Sequence, residues 1–93
     1  MIQSFADRET ELVWAEEGSR RLPSQIQQRA LNKLALLNRA ARLDDLRVPP
    51  GNRLEALHGD RAGQHSIRIN DQWRICFRWE AGDAYDVEIC DYH

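Results

Sequence analysis

The sequence has few of the residues that hold small secreted or metal-binding domains together. Two cysteines, Cys76 and Cys90, occur in 93 residues, which is too few for a disulfide framework, and we expect free thiols. No apolar run approaches the roughly 20 residues of a membrane span. The first residues lack the basic start and apolar stretch of a secretory signal. These absences predict a cytoplasmic protein without a membrane partner.

Common cofactor and catalytic motifs are also missing. There is no Gly-rich phosphate loop, no GxSxG elbow and no pair of histidines with a carboxylate at metal-ligand spacing. A chain of this length has room for one core and little room for a large cofactor cavity. We therefore expect a single domain, residues 1–93, with no cofactor and no metal.

The charged residues are unevenly distributed. The net charge of −2, taken alone, argues against a nucleic-acid partner. However, residues 46–79 carry six arginines against three acids, whereas residues 80–93 carry five acids and no Lys or Arg. The basic segment can form a local arginine surface for RNA, with Arg53, Arg61, Arg68 and Arg78 as candidate RNA-binding residues. Alternatively, the two segments pair as neighbouring strands and neutralise each other; both readings can hold.

The first half of the sequence predicts a short strand and two helices. Residues 1–5 are a possible strand, and Asp7 can cap a helix over residues 8–17 that Gly18 ends. Pro23-Ser24 opens a stronger helix, in which spacings of four and three predict one buried stripe of Ile26, Ala30, Leu34 and Leu37. A turn of helix at 43–46 precedes the stop at 49–52.

From Arg53 onward the hydrophobic period changes to two, which predicts an antiparallel meander. Ile67, Ile75 and Val87 belong to runs that alternate apolar and polar residues, so one face packs on a core and the other meets water. Helices covering one face give an α+β fold, a two-layer domain with N-terminal helices on a twisted, mainly antiparallel sheet.

Parity of the core positions predicts the strand register. Opposed residues share a face, so a loop of residues 70–72 places Arg68 opposite Arg74. For the next hairpin, Trp79 opposite Tyr85 places Arg78 opposite Asp86 and Arg74 opposite Cys90. Opposed arginines repel; either a phosphate between the guanidinium groups or screening by Glu88 or Asp86 would relieve this.

The residues able to move protons lie in the second half. His58 and the final Asp91-Tyr92-His93 suit RNA cleavage in which the 2′-hydroxyl attacks the adjacent phosphate. That reaction needs a base, an acid and positive charge on the transition state. Arg74 would supply the charge, Tyr92 or His93 the proton transfers, and Asp91 orientation or a base.

Three segments resemble the HigB branch of the RelE toxin superfamily, also called plasmid-maintenance killer proteins. They are residues 49–63 (PPGNRLEALHGDRAG), 66–77 (SIRINDQWRICF) and 87–93 (VEICDYH). The resemblance is close over residues 47–93, and the first half matches in length and helix pattern.

The resemblance implies a toxin of a type II toxin–antitoxin system that acts as a ribosome-dependent mRNA endonuclease (an mRNA interferase) and blocks translation. It implies a HigA-like helix-turn-helix antitoxin as partner, mRNA in the ribosomal decoding site as substrate, and contact with DNA only through the antitoxin complex. By the same resemblance, Arg74 matches the phosphate-facing arginine, and Asp91, Tyr92 and His93 match the C-terminal catalytic group.

Two positions depart from the family pattern. His58 stands where relatives often have lysine, and Glu55 where some have histidine. A histidine is charged only when protonated, so we expect stronger pH sensitivity than in lysine-containing relatives. The alternatives are a non-cleaving inhibitor on the same fold, such as a ParE-like gyrase blocker, and an RNA-binding module.

Overall fold

The computed structural model describes residues 1–91, and it forms two helices and one four-stranded sheet. Helix α1 spans Arg8–Trp14 and helix α2 spans Ser24–Arg39; the strands are β1 Glu55–Ala56, β2 Gln64–Arg68, β3 Trp73–Glu80 and β4 Asp83–Asp91. The strands follow one another across the sheet, and each pairs antiparallel with the next. The predicted α+β architecture is confirmed. The predictions for Tyr92 and His93 fall outside the described residues.

Helix α1 starts as predicted and ends earlier than predicted. The Asp7 carboxylate accepts a hydrogen bond from the Thr10 amide at 2.9 Å, as an N-cap residue does. The helix stops at Trp14 because Glu16 adopts a left-handed conformation, with φ of 61°. The amides of Glu16 and Glu17 then donate to Val13 and Leu12, which is the Schellman arrangement.

Helix α2 covers one face of the sheet with the predicted stripe. Ile26, Ala30, Leu34 and Leu37 are all buried. They join a single core with the inward side chains of the strands, which are Ile67, Ile75, Phe77, Ala84, Val87 and Ile89. After α2 the chain forms 3₁₀ turns at Leu43–Arg47 and Pro50–Asn52. None of the helices within residues 1–91 is long and apolar enough to cross a membrane.

The first residues of the chain extend the sheet beyond β4. Ile2 and Phe5 form isolated parallel bridges to Ala84 and Val87, and the Gln3 amide donates to the Ala84 carbonyl at 2.8 Å. The strand predicted for residues 1–5 is therefore present as two bridges. The sheet is mainly antiparallel, with this one parallel edge.

The register of the first hairpin is the predicted one, and that of the second is only partly so. Arg68 lies opposite Arg74, and Arg74 lies opposite Cys90. Beyond Cys76 the pairing shifts by one residue, so that Arg78 opposes Tyr85 and Trp79 opposes Ala84. The predicted pairs of Trp79 with Tyr85 and of Arg78 with Asp86 are wrong.

A bulge at Asp86 causes this shift. Asp86 has φ of 53° and is the extra residue of β4, a local insertion that flips the side-chain parity of the strand. As a result Ala84 is fully buried in the core, and Tyr85 is only partly buried. The turn Ala81-Gly82 has positive φ at both residues, which suits a two-residue hairpin and fixes the shifted register.

The face of the sheet opposite the helices is less open than the alternation predicted. Ser66, Arg74, Cys76 and Cys90 lie on it, and all four are buried. The Arg74 guanidinium donates to the backbone carbonyl of Arg53, and Arg61 contacts Glu88 on β4. The segment from Arg53 to Arg61 thus folds back over this face and turns an exposed surface into a walled site.

Candidate active site

Two grooves adjoin on the face of the sheet away from the helices. The larger groove has a volume of about 750 Å³ and is lined by Glu55, Ala56, Leu57, His58, Arg61, Cys76, Cys90 and Asp91. The smaller groove has a volume of about 270 Å³ and is lined by Arg53, Glu55, Arg68, Asn70, Asp71 and Arg74. Glu55 lines both grooves. Most of the site residues predicted from sequence lie in one groove or the other.

Arg74 is the most firmly held side chain in the smaller groove. Its Nε donates to the Ser66 hydroxyl at 2.7 Å, and one terminal nitrogen donates to the Arg53 carbonyl at 2.6 Å. The same nitrogen lies 3.8 Å from a Glu55 carboxylate oxygen. The side chain is only 6% exposed, so the guanidinium is fixed in place before any ligand arrives, as electrostatic catalysis requires.

Buried hydrogen bonds of Asn52 hold the segment that carries the Arg53 carbonyl. The Asn52 side chain is fully buried and donates to the carbonyls of Leu46 and Val48. It accepts from Lys33 Nζ of α2 at 2.6 Å, and burial lowers the pKa of that lysine, as does the nearby Arg29. Arg53 follows in a left-handed conformation, with φ of 45°. In this conformation its carbonyl accepts the hydrogen bond from Arg74.

The opposed arginines Arg68 and Arg74 are screened, but not by the acids considered from sequence. Arg68 forms an ion pair with Asp71 and donates to the Asn70 carbonyl, while Arg74 lies near Glu55. Glu88 and Asp86 pair with other arginines instead. Among the contacts within residues 1–91 described above, the two guanidinium groups have separate acceptors, and both line the smaller groove.

His58, Arg61 and Asp91 meet in the larger groove. Arg61 is held by Glu88, at 3.2 Å, and by the Gln64 side chain, at 3.0 Å. Asp91 lies opposite Trp73 at the end of β4 and accepts a hydrogen bond from the side-chain Nε2 of Gln72 at 3.2 Å. The groove therefore combines an imidazole, a guanidinium and a carboxylate, and the predicted catalytic residues Tyr92 and His93 follow Asp91 directly in the chain.

Among the predicted site residues within residues 1–91, Arg78 alone lines neither groove. It donates to Asp86 at 2.8 Å and to Glu80 at 3.1 Å, and its guanidinium carbon lies 5.7 Å from the centre of the Tyr85 ring. These acids raise the pKa of Arg78, with the Asp86 hydrogen bond as the main cause. Any RNA contact by Arg78 would lie outside the two grooves.

Sequence reasoning missed the support for Arg74 and the composition of the groove floor. Ser66 could have been singled out, because the predicted register already placed it on the same face as Arg74. The contact with the Arg53 carbonyl depends on a loop without periodicity, so no sequence pattern indicates it. Within residues 1–91 no three His, Cys, Asp or Glu side chains are grouped closely enough to hold a metal ion.

Comparison with known proteins identifies the family. Residues 3–93 match the family model described as a RelE-like toxin of type II toxin–antitoxin system HigB. The chain belongs to the HigB toxin family. The match begins near the first residue, so the similarity is wider than the segment 47–93 that carried the resemblance in sequence.

Curated relatives agree with this assignment. The chain is 41% identical over 90 residues to Toxin HigB-1 of Vibrio cholerae, covering 96% of this chain and 95% of that protein. It is 32% identical over 93 residues to Endoribonuclease HigB of Proteus vulgaris, covering both proteins completely.

A solved structure shares the fold. A chain of the YoeB–YefM complex from Staphylococcus aureus superposes with a TM-score of 0.61 at 14% identity, covering 100% of this chain and 98% of the other. At this identity the likeness concerns the two-layer fold alone. Membership of a toxin–antitoxin family, by contrast, implies an antitoxin partner for this chain.

Proposed function

We propose that this HigB-family chain is an endoribonuclease that cuts messenger RNA in the decoding site of the ribosome, in the cytoplasm, and so blocks translation. The observation that carries the proposal is the guanidinium of Arg74, held by Ser66 and the Arg53 carbonyl beside a groove that contains His58 and Asp91. The relative named Endoribonuclease HigB supports the same activity.

In the proposed reaction the substrate's own 2′-hydroxyl attacks the adjacent phosphorus and expels the 5′-oxygen. Arg74 stabilises the negative charge that develops on the phosphate, and Arg68 and Arg53 line the same groove and guide the backbone. Asp91, Tyr92, His93 and His58 supply the proton transfers: one group takes the proton of the 2′-hydroxyl and another protonates the leaving oxygen. No metal ion is needed for these steps.

The different linings of the two adjoining grooves indicate how RNA would lie in the site. Phosphates favour the smaller groove, where Arg53, Arg68 and Arg74 gather, because guanidinium groups bind phosphate oxygens in pairs. The larger groove has Leu57 and two cysteines beside its polar groups, and such a mixed surface suits a base next to the cut. Arg61 would contact this part of the RNA, and Arg78 would contact the chain further along.

The deciding experiment maps cleavage ends on translated and untranslated message with purified protein. Translated message should be cut, and Arg74→Ala should lower the rate about 100-fold or more, as the loss of one transition-state donor does. Arg47→Ala is the matched control, because Arg47 is exposed, lines neither groove and forms an ion pair with the exposed Asp44. Equal cutting of untranslated message would refute ribosome dependence. No cutting by the wild type, together with inhibition of DNA gyrase, would favour the ParE-like alternative.

We further propose that the antitoxin is a HigA-like helix-turn-helix protein, and that this chain reaches DNA only through it. Expression of this chain alone should arrest growth. Co-expression with the product of a neighbouring helix-turn-helix gene should relieve that arrest, and the two proteins should co-purify. Operator DNA should be retained by the complex or by the antitoxin, and not by this chain alone. Binding of operator DNA by the isolated chain would contradict the proposal.

A further inference from the structure

The two cysteines of the chain lie on the neighbouring strands β3 and β4, and both line the larger groove. Cys76 opposes Glu88 in the register, and Cys90 follows two residues later on β4, so the thiols are diagonal neighbours on one face. Both are free and buried, at 2% and 8% exposure, and both contribute to the lining of the groove. Reagents small enough to enter the groove therefore meet two sulfur atoms together.

The surroundings make the two thiols chemically unequal. The neighbouring Cys90 thiol is the main cause that lowers the pKa of Cys76, and Arg61 adds to it, although burial opposes both. The same contact, together with burial, raises the pKa of Cys90. Arg61 is held in place by Glu88 at 3.2 Å. The Cys90 thiol also donates to the Glu88 carbonyl at 3.7 Å and so keeps its proton, which leaves Cys76 as the stronger nucleophile.

We propose that Cys76 and Cys90 form a peroxide-reactive dithiol in the floor of the larger groove, with Cys76 as the attacking thiol and Cys90 as the resolving thiol. A thiol pair of this kind differs from an inert buried cysteine in having a guanidinium neighbour, a groove leading to it and a second thiol within reach.

The reaction balances with hydrogen peroxide as the oxidant. The Cys76 thiolate attacks one peroxide oxygen, the O–O bond breaks, and the departing hydroxide takes a proton to leave as water, which yields a sulfenic acid. The Cys90 sulfur then attacks the Cys76 sulfur, and the hydroxyl leaves as water with the Cys90 proton. Two thiols are oxidised to one disulfide, and one peroxide is reduced to two waters.

Closing this disulfide would change the shape of the groove. Diagonal neighbours on paired strands have Cα atoms about 7–8 Å apart, whereas a disulfide prefers roughly 5.5–6 Å, so β3 and β4 must shift. The bulge beside Cys76 already interrupts the regular ladder there and gives the strands room to move. Since Cys90 opposes Arg74 and precedes Asp91, the shift reaches both grooves. We expect lower RNA cleavage, a consequence that rests on the proposed function.

The first test counts thiols and does not depend on RNA. The reduced protein is treated with hydrogen peroxide, denatured and alkylated with N-ethylmaleimide, and its intact mass and peptides are measured. The wild type should lose both alkylatable thiols, lose about 2 Da for the two hydrogens removed, and yield a Cys76–Cys90 peptide. Two remaining thiols, or a covalent dimer in place of the internal disulfide, would overturn the proposal.

Single variants test the assigned roles. In Cys90→Ser, Cys76 should form a sulfenic acid that dimedone traps, whereas Cys76→Ser should react at least about 10-fold more slowly, because Cys90 lacks a stabilised thiolate. Equal rates for the two variants, or faster reaction of Cys90, would refute the roles.

The consequence for activity is measured within each variant, before and after peroxide. The wild type should lose cleavage after peroxide and regain it with dithiothreitol. Cys90→Ser cannot form the internal disulfide, so it should not lose cleavage by this route. A disulfide that forms without changing cleavage would overturn the effect on the site. If the disulfide forms but the reduced protein cuts no message, the proposed function fails and the dithiol stands.

Discussion

The Nε of Arg74 and the hydroxyl of Ser66 are joined by a 2.7 Å hydrogen bond between β3 and β2, and both side chains are buried. The two residues are diagonal neighbours, because Arg74 opposes Arg68 and Ser66 opposes Cys76. A buried guanidinium requires such acceptors, since an unpaired buried charge is costly. The position of Arg74 therefore depends on Ser66 as well as on the loop that supplies the Arg53 carbonyl.

Ser66→Ala should disturb the position of Arg74 while leaving its charge in place. Loss of a hydrogen bond to a buried charged group should lower the free energy of unfolding by about 1–3 kcal/mol. The kcat for RNA cleavage should fall about 10- to 100-fold, because misplacement of a catalytic group by about 1 Å has effects of that size. Denaturant unfolding and single-turnover cleavage measure the two effects.

Ser24→Ala is the matched control for this substitution, because Ser24 is exposed at the start of α2. It should change the free energy of unfolding by no more than about 0.5 kcal/mol, and it should leave the cleavage rate unchanged. An Ser66→Ala protein as active as the wild type would show that Ser66 does not position Arg74 for the reaction.

Glu55→Gln should strengthen RNA binding. The Glu55 carboxylate lies 3.8 Å from Arg74 and lines both grooves, where it repels phosphate. Removing one charge at about this distance near water is worth roughly 1 kcal/mol, or about 5-fold in Kd. Binding of a non-cleavable 2′-deoxy-substituted RNA, measured at several salt concentrations, tests this.

The gain from Glu55→Gln should shrink as the salt concentration rises, because salt screens the repulsion that the substitution removes. Glu11→Gln, on the exposed side of α1, is the control for a change in net charge. If Glu11→Gln strengthens binding as much, the effect belongs to the overall charge of the protein and not to the grooves.

How far the sequence predicts this structure depends on whether periodicity continues without interruption. Ile67 and Ile75 follow a strict alternation, so parity alone placed Arg68 opposite Arg74 correctly. The same reasoning failed beyond Cys76, because Asp86 takes a left-handed conformation and forms a bulge, whose extra residue reverses the parity. A Gly follows Ala81, and this two-residue turn signal was the available indication of the shifted register.

The candidate site likewise has a part that the sequence predicts and a part that it does not. Arg74, His58 and Asp91 were predicted from residue type and family resemblance, and the structure brings them to two adjoining grooves. The wall of those grooves comes from the irregular segment after Asn52, whose position depends on buried hydrogen bonds to Leu46, Val48 and Lys33. Such long-range contacts leave no local pattern in a sequence, and therefore the burial of Arg74 was not predicted.

Glu16→Gly should stabilise the protein. Glu16 has φ of 61° at the end of α1 and is exposed, and left-handed conformations cost a residue other than glycine roughly 1 kcal/mol. We expect a gain of about 0.5–1 kcal/mol, or about 4 °C in Tm for a domain of this size. Ala15→Gly is the matched control: Ala15 has φ of −76°, so glycine there should destabilise. Stabilisation by both substitutions would refute the conformational explanation.

Cys90→Ala should raise the pKa of the Cys76 thiol, because it removes the neighbouring thiol that is the main cause of the lowered value. A thiol with a higher pKa holds less thiolate at a given pH, and only the thiolate reacts. The midpoint of the iodoacetamide rate against pH should therefore move upward in Cys90→Ala. Cys90→Ser keeps a hydrogen-bond donor and should shift the midpoint less. An unchanged midpoint in Cys90→Ala would show that Arg61, and not Cys90, sets the reactivity of Cys76.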